Sequence, residues 1–353
     1  MRMPAEWEPQ AFVQIAWPHA ETDWAPYLKA AWECYGNIAR EIARREPLAI
    51  ITPEPAAVRD YLKALANVNL ENIRFVEVET NDTWARDHAF ITLMADDGRK
   101  QLTDFTFNGW GLKFAANLDN QINRKAFPTL KTMLADGADY RNELGTVLEG
   151  GSIESDGRGT ILTTTSCLLA DNRNNYADKA EAEASLLPRL HADRMLWLDH
   201  SWLAGDDTDG HVDTVARLCN AETIAYVQCT DPADEHYTEL SAMEAELRQL
   251  RTLDGRPYRL VPLPMPSAIY DETDVGADGQ PQRLPATYAN FLIVNGAVLM
   301  PTYRQPANDT LAMTRLQGAF PDREVVGIDC TVLIRQHGSL HCCTMQYPAE
   351  SDN

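Results

Sequence analysis

The chain has 353 residues, of which 44% are hydrophobic, and a formal net charge of −21. This length allows one large domain or two ordinary ones, with enough apolar content for a sizeable core. The negative charge disfavours nucleic acid and anionic membranes as partners and suits small cations, although solubility alone also explains it. No apolar run approaches the roughly 18 residues of a membrane span, and the first residues lack the apolar core of a secretory signal. We therefore expect a cytoplasmic protein.

Short β-type runs alternate with longer helical ones along the chain. In order, the predicted elements are strand 11–16, helix 24–44, strand 47–52, helix 55–66, strand 73–78, a hairpin of 90–94 and 101–107, strand 160–164, helix 179–191, strands 194–198 and 223–227, helix 235–250, strands 259–263, 288–294 and 297–300, and helix 308–320. The β-β-α-β groups recur every ~60–70 residues. The polar, glycine-rich stretch 271–283 is interpreted as a loop insertion, too short to separate domains. We expect a single α/β domain over residues 1–353.

The segment Gly205–Asp213 surrounds His211 with four aspartates. If His211 and Asp213 lie on one strand, their side chains share a face and a cavity. Asp and Gly also form turns, so a solvated loop is the competing interpretation. A metal site ranks lower, because the spacing fits neither an EF-hand loop nor an HExxH helix.

Two further segments offer complementary chemistry. Asn81–Asp87 supplies Trp84 and Asp87, whereas Gly150 and Gly151 follow Glu149 in a stretch where the backbone can approach a neighbour closely. Glu149 could hold a histidine ring in its charged form, or it could be a solvated turn residue.

Seven cysteines are scattered without a CxxC pair, which favours free thiols over disulfides or a structural zinc cluster. Most buried cysteines are inert small hydrophobes. Cys342 and Cys343 are adjacent, so on a strand one thiol would face the core and the other a site. Local sequence does not decide between them.

Taken together, six ordered segments resemble the agmatine deiminase family, within the guanidine-modifying superfamily that includes peptidylarginine deiminases. The matching segments are Met3–Pro9, Asn81–Asp87, Glu149–Glu154, Asp207–Asp213, Leu284–Asn290 and Gly338–Cys342. The resemblance implies a five-bladed α/β propeller of the pentein type, built of ββαβ units. It also implies a cysteine-dependent hydrolase that needs no metal or cofactor, and a homodimer is a family-level expectation.

The resemblance also implies roles for individual residues. Cys342 would be the nucleophile, His211 the acid/base, Asp87 and Asp213 the guanidinium ligands, Glu149 the residue that orients the histidine, and Trp84 and Asp207 pocket residues. Two departures from the family pattern, Ala89-Phe90 in place of Gly-Pro and Cys343 after the nucleophile, touch none of these roles.

The expected reaction converts agmatine and water to N-carbamoylputrescine and ammonia, a step of putrescine biosynthesis. Asp207 is a candidate partner for the distal amine of this substrate. The alternative with the same chemistry is an arginine or peptidylarginine deiminase, which would form citrulline and would need a basic clamp from Arg86, Arg173 or Arg304 if the amino acid were free. A non-catalytic guanidine binder and a metal-dependent hydrolase are the remaining alternatives.

The acidic surroundings also predict the state of the thiol. Because like charges oppose ionisation, Asp87, Asp213 and Glu149 should raise the pKa of Cys342 in the empty site.

Overall fold

The computed structural model describes residues 1–135, 137–275 and 279–350, and it describes their side chains except at 272–275. Within these residues the strands are β1 (Gln10–Ala16), β2 (Leu48–Thr52), β3 (Ile73–Glu77), β4 (Ile91–Met94), β5 (Lys100–Thr106), β6 (Asp139–Val147), β7 (Ile153–Ser155), β8 (Thr160–Thr164), β9 (Arg194–Leu198), β10 (Ala216–Asn220), β11 (Thr223–Gln228), β12 (Arg259–Pro264), β13 (Tyr270–Val275), β14 (Pro281–Arg283), β15 (Leu292–Val294), β16 (Ala297–Thr302), β17 (Glu324–Asp329) and β18 (Thr344–Pro348).

Five of the sheets in these residues share one design. They are β18–β1–β2–β3, β4–β5–β6, β7–β8–β9, β10–β11–β12 and β15–β16–β17. In each, the first strand pairs antiparallel with the second, and the third lies parallel to the second. The sheet that contains β18 and β1 adds β3, parallel to β2. The predicted α/β class with recurring β-β-α-β groups is therefore confirmed.

Helices make the crossovers that parallel strands require. The helices are α1 (Leu28–Ala43), α2 (Pro55–Ala64), α3 (Ala85–His88), α4 (Gly109–Leu112), α5 (Ile122–Leu130), α6 (Thr165–Leu168), α7 (Lys179–Leu190), α8 (Val212–Val215), α9 (Tyr237–Gln249) and α10 (Pro306–Ala319). The longer ones, α1, α2, α5, α7, α9 and α10, connect parallel strands, whereas α3, α4, α6 and α8 are single turns. No helix in the described ranges is both long and apolar enough to cross a membrane.

The sequence explains the strongest elements directly. Every residue of β2 is buried, as expected for an uninterrupted apolar run in a central parallel strand. Helix α1 buries Tyr35, Ile38 and Ile42, which recur at helical spacing. Helices α2 and α10 begin at Pro55 and Pro306. Proline is tolerated at this position because the first N–H of a helix has no intrahelical acceptor.

Some predictions need correction. The stretch 271–283 was predicted to be a loop, but β13 and β14 pair there as an antiparallel hairpin, with 276–278 outside the described residues. Strand β6 and helix α5 were not predicted, because β6 is polar and partly exposed and α5 contains Pro128. All seven cysteines are free, as predicted, and all seven are buried.

The first and last strands pair in one sheet, which is hydrogen-bonded to the β15–β16–β17 sheet. Strand β1 pairs with β18, and Asn295, which lies between β15 and β16, exchanges two hydrogen bonds with the Gln10 backbone (2.8 and 3.0 Å). The Glu46 carboxylate also accepts the Asn295 backbone N–H at 2.7 Å. The first and last sheets are thus joined by buried polar contacts.

Glu46 predicts a measurable dependence of stability on pH. Burial raises its pKa to about 7, above the roughly 4.3 of an exposed glutamate. The folded state then binds more protons than the unfolded state, so this part of the stability is complete below about pH 4 and is lost as the pH rises to about 7. Glu46→Gln mimics the protonated acid and should remove about 1–3 kcal/mol of that loss.

Denaturant unfolding at about pH 5 and about pH 8 would measure the effect. Glu54→Gln, at an exposed position, is the control and should leave the parent's pH dependence unchanged. Equal pH dependence in the Glu46→Gln variant and the parent would contradict the prediction.

Candidate active site

Polar residues from distant parts of the chain meet because each lies in a turn just before the first strand of a sheet. These turns are α3 before β4, Gly150–Ser152 before β7, α8 before β10, residues 287–290 before β15, and His341–Cys343 before β18. Helix α3 contacts both the Gly150–Ser152 and the His341–Cys343 turns, and α8 contacts Gly150–Ser152. The repeated sheet design therefore brings five turns to one place.

Cys342 lies in the 3₁₀ turn His341–Cys343, so the predicted strand geometry for the two adjacent thiols is wrong. The Cys342 Sγ lies 3.4 Å from Asn290 Oδ1 and 3.9 Å from Asp213 Oδ2, and this residue lines an open cleft. Cys343 is fully buried, and its thiol donates to the Ser339 carbonyl. Cys342 is therefore the thiol that faces the cleft.

Burial and charge act on the Cys342 thiol as predicted. Burial raises the pKa of Cys342 well above its usual value, and the carboxylates of Asp213 and Asp87 raise this pKa further. Asp213 and Asp87 thus contribute as predicted, whereas Glu149, also predicted to contribute, is not among the principal causes. In the empty cleft the protonated thiol is favoured.

Asp87 lies at the centre of the buried group. Its Oδ1 accepts the Gly151 backbone N–H and its Oδ2 accepts the Trp110 Nε1–H, both at 3.0 Å. The His211 Nδ1 is 3.6 Å from Oδ1. Burial is the main cause that raises the pKa of Asp87, the His211 charge opposes the rise, the Asp213 carboxylate adds to it, and the resulting pKa is about 6. Asp87 is therefore a carboxylate whose ionised form is favoured by a nearby positive charge.

His211 and Asp213 come together through a helical turn, so the predicted strand is wrong here as well. His211 is the N-cap of α8, and Asp213 lies in the first turn of this helix. A β-carbon placed on Gly151 would lie 2.6 Å from His211 Nδ1, 2.8 Å from Asp87 Oδ1 and 3.1 Å from Asp213 Oδ2. The three side chains therefore surround the bare backbone of Gly151.

The His211 ring is fully buried, and neither ring nitrogen makes a hydrogen bond within the described residues. Burial alone would lower the pKa of His211, but the Asp87 carboxylate and other neighbours raise it well above its usual value. A carboxylate oxygen of Glu149 and the Sγ of Cys167 lie within 4.8 Å of a nitrogen of the His211 ring. Glu149 thus lies beside the histidine as predicted, and its Oε1 also accepts a hydrogen bond from Arg173 Nε at 2.8 Å.

Asp213 is fully buried and is hydrogen-bonded to a second histidine, His341. The His341 Nδ1–H donates to Asp213 Oδ2 at 2.8 Å, whereas Asp213 Oδ1 accepts no hydrogen bond from the described residues. Burial opposes ionisation of Asp213, but the hydrogen bond and charge of His341 lower its pKa below the usual value. One oxygen of an ionised carboxylate is therefore left without a donor.

The outer cleft is aromatic and acidic. Its described lining comprises Asp23, Asp82, Trp84, Asp87, Trp110, Phe114, Asp207, Thr208, Gln336, His337, Gly338 and Cys342. Trp84 and Asp207 thus lie in the same cleft as Cys342, where they were predicted. Burial raises the pKa of Asp207 to about 6, although His337 opposes the rise. This described lining contains four aspartates and neither lysine nor arginine.

The three arginines considered as a carboxylate clamp have other partners. Arg173 pairs with Glu149 and Asp209. Arg304 pairs with Asp329 at an exposed position. Arg86 is buried, with its side chain near Glu6 and Met345.

Two groups of donor atoms within 4.8 Å could in principle contact a cation. They are Glu149, Cys167 and His211, and Glu6, Glu154 and His341. In the first group Glu149 is paired with Arg173, and in the second both glutamates are paired with Arg217. These guanidinium charges oppose the entry of a metal cation.

Several residues of the site received no role from the sequence. Asn290, His341 and Glu6 lay within the six ordered segments, whereas Trp110 lay outside them. The predicted strand 288–294 placed Asn290 inside a strand, whereas β15 begins only at Leu292 and Asn290 lies in the turn before it. No signal in the sequence therefore indicated the role of this residue. Nothing local in the sequence indicates that Trp110 reaches Asp87.

Comparison with known proteins identifies the family of the chain. Residues 2–348 match the Porphyromonas-type peptidyl-arginine deiminase family. A Pseudomonas aeruginosa agmatine deiminase is 34% identical over 99% of this chain and 95% of its own. A solved C. jejuni agmatine deiminase with substrate bound is 34% identical, with a TM-score of 0.87 over 98% and 96% of the two chains. A Porphyromonas gingivalis structure described as a candidate arginine deiminase is 51% identical, with a TM-score of 0.88 over 98% of each chain. The chain belongs to the Porphyromonas-type peptidyl-arginine deiminase family.

Proposed function

We propose that the protein is an agmatine deiminase, a hydrolase that cleaves a C–N bond of a linear amidine. It converts agmatine and water to N-carbamoylputrescine and ammonia through a covalent amidino-cysteine. The observation that carries this proposal is the Cys342 thiol in an acidic cleft, with Asp213 at 3.9 Å from its sulfur. Agmatine deiminases at 34% identity over nearly the whole chain support the same activity.

We also propose that residues 1–353 form one catalytic domain with the architecture of a five-bladed α/β propeller. Five sheets of one design and the pairing of β1 with β18 support this arrangement. Each blade would contribute the turn before its first strand to the central site. A homodimer remains a prediction from the family resemblance.

Asp87 and Asp213 bind the guanidinium in this proposal. A guanidinium is planar, always protonated and rich in N–H donors, so two carboxylates can hold different edges of it. Asp213 Oδ1, which accepts no hydrogen bond from the residues that the structure describes, is available as an acceptor. Fixing the central carbon beside the sulfur lowers the barrier by up to about 7–11 kcal/mol.

The positive charge of the substrate also activates the thiol. It offsets the carboxylates that hold the Cys342 proton, so the thiol releases its proton to solvent as the guanidinium binds. The sulfur then forms a bond to the guanidinium carbon, giving a tetrahedral intermediate.

His211 carries protons in both halves of the reaction. It donates one to the terminal amino group as its C–N bond breaks, and ammonia leaves. The neutral imidazole then takes a proton from water as the water oxygen bonds to the carbon. The C–S bond breaks, the sulfur leaves as thiolate, and the remaining hydroxyl proton passes to this thiolate, which forms the ureido carbonyl and restores the thiol. Glu149 beside the ring stabilises its protonated form. The scheme uses no metal or cofactor.

The outer cleft favours agmatine over free arginine. Agmatine carries a distal ammonium and no carboxylate, and the cleft offers Asp207 and Asp23 beside the aromatic wall. Free arginine would bring a carboxylate into this acidic region, whose described lining contains neither lysine nor arginine. Peptidyl or free arginine deimination is the second candidate function, and the 51% identity to the P. gingivalis protein favours it.

A substrate panel separates these functions. Ammonia release from agmatine, free arginine and a blocked peptidyl-arginine should be greatest with agmatine, by at least about 100-fold in kcat/KM, the effect of a few kcal/mol of charge mismatch. Cys342→Ser should abolish release, because a hydroxyl is far less acidic and less nucleophilic than a thiol. Cys219→Ser, at a buried thiol in β10, is the matched control and should retain activity. A preference for either arginine substrate, or an active Cys342→Ser variant, would contradict the proposal.

Gly151 gives a sharper test of the site itself. In Gly151→Ala the new methyl group would press on His211 Nδ1 and Asp87 Oδ1, at 2.6 and 2.8 Å before relaxation. We expect kcat/KM to fall by at least about 100-fold, because small displacements of catalytic groups are costly. Gly145→Ala is the control, because its β-carbon would meet nothing within 4 Å. Near-parental activity in Gly151→Ala, or equal losses in both variants, would show that this packing is not required.

A further inference from the structure

The turn that carries Cys342 also carries a buried histidine between two carboxylates. His341 Nδ1 lies 2.8 Å from Asp213 Oδ2, and His341 Nε2 lies 2.8 Å from Glu6 Oε2. All three side chains are less than a tenth exposed. The chain of contacts Glu6–His341–Asp213 therefore links the N-terminal segment to the residue that faces the Cys342 sulfur.

These distances determine the protonation state of His341. An ionised carboxylate only accepts hydrogen bonds, so each ring nitrogen must carry a hydrogen to bond its partner. A ring with hydrogens on both nitrogens is the imidazolium. His341 is therefore a buried cation that a neutral tautomer could not replace without losing one of the two bonds.

Glu6 is itself held rigidly. Its Oε1 accepts the Ile293 backbone N–H at 2.8 Å, and its Oε2 also accepts a hydrogen bond from Arg217 at 2.7 Å. The charges of Arg217 and His341 keep the pKa of Glu6 below its usual value despite burial. Glu6 is thus an anion of fixed orientation on the far side of the histidine ring.

We propose that His341 and Glu6 are positioning residues: Glu6 keeps His341 as an imidazolium whose Nδ1–H fixes Asp213 and leaves its second oxygen free for the guanidinium. Neither residue touches the substrate. This inference rests on the proposed function only for its consequence in catalysis, since the contacts exist without substrate.

Other charged side chains also act on Asp213, and their effects must be separated from that of His341. The titratable groups that face Asp213 are His341, His211, Asp87, Cys342, Arg86 and Arg217, and those that face His341 are Glu6, Asp213 and Glu154. Deleting the Glu6 charge alone would make Asp213 easier to ionise, because one nearby anion is lost. If His341 thereby loses its proton, Asp213 becomes harder to ionise. The two effects have opposite signs.

The pH profile of kcat/KM for agmatine shows whether Asp213 becomes easier or harder to ionise. In Glu6→Gln and in His341→Asn the acid limb should move upward by about one pH unit or more, because Asp213 loses a cation at hydrogen-bond distance. Glu154→Gln is the matched control: Glu154 also pairs with Arg217 but makes no hydrogen bond to His341. Because this change removes an anion near His341 but no hydrogen bond to its ring, it should move the limb by less than Glu6→Gln does. A downward or absent shift in Glu6→Gln, or an equal upward shift in Glu154→Gln, would overturn the proposal.

A measurement on the parent protein avoids any failure of the variants to fold. Histidine ¹⁵N shifts, assigned with His341→Asn, should show a hydrogen on both ring nitrogens of His341 in the active protein, because both nitrogens donate to carboxylates. A neutral His341 ring with a single hydrogen in the active protein would overturn the inference while leaving the deiminase proposal intact. Inactivity toward every guanidine with a doubly protonated His341 would instead refute the proposed function alone.

Discussion

The structure depends on one constraint, the burial of several carboxylates near the Cys342 thiol and the His211 ring. Asp87, Asp213 and Glu149 are each almost fully hidden from solvent, where an unpaired charge is expensive. His211, His341 and Arg173 offset part of this charge in the empty site. The negative charge that is not offset favours the binding of a flat cation. Only when such a cation is bound does the site favour the thiolate form of Cys342.

The fold meets this constraint by repetition. Each sheet begins with a strand entered from a short polar turn, so five turns deliver side chains to a common centre while the helices cover the sheets. Short turns leave backbone groups free, and Asp87 uses one of them by accepting the Gly151 N–H. Because Gly151 has no side chain, His211, Asp87 and Asp213 can surround its backbone. In the proposed mechanism the reacting groups therefore lie on short turns at the ends of elements and not on long loops.

Much of the fold could be read from the sequence where burial is uniform. The apolar run of β2 and the helical spacing of α1 predict those elements to within a few residues. Strand β6 is partly exposed and polar, and the β13–β14 hairpin has charged, glycine-containing sequence, so neither shows the hydrophobic pattern that marks a strand. The single-turn helices are too short for any periodicity to reveal them.

The site was predictable only in part, for the same reason. Cys342, His211 and Asp87 could be proposed from ordered segments, but local sequence does not reveal distances between residues more than a hundred positions apart. The difference between Cys342 and Cys343 depends on a 3₁₀ turn, and the role of His341 depends on Glu6, which lies 335 residues earlier in the chain. Such contacts are properties of the assembled fold.

The central claim is that the Cys342 sulfur bonds to the guanidinium carbon during turnover. Acid quenching within the first turnovers of agmatine, followed by peptide mass spectrometry, tests it directly. The proposed mechanism predicts that the peptide containing Cys342 carries the mass of agmatine less ammonia, and that this adduct precedes release of N-carbamoylputrescine. Product formation with Cys342 unmodified at every time point would contradict the mechanism.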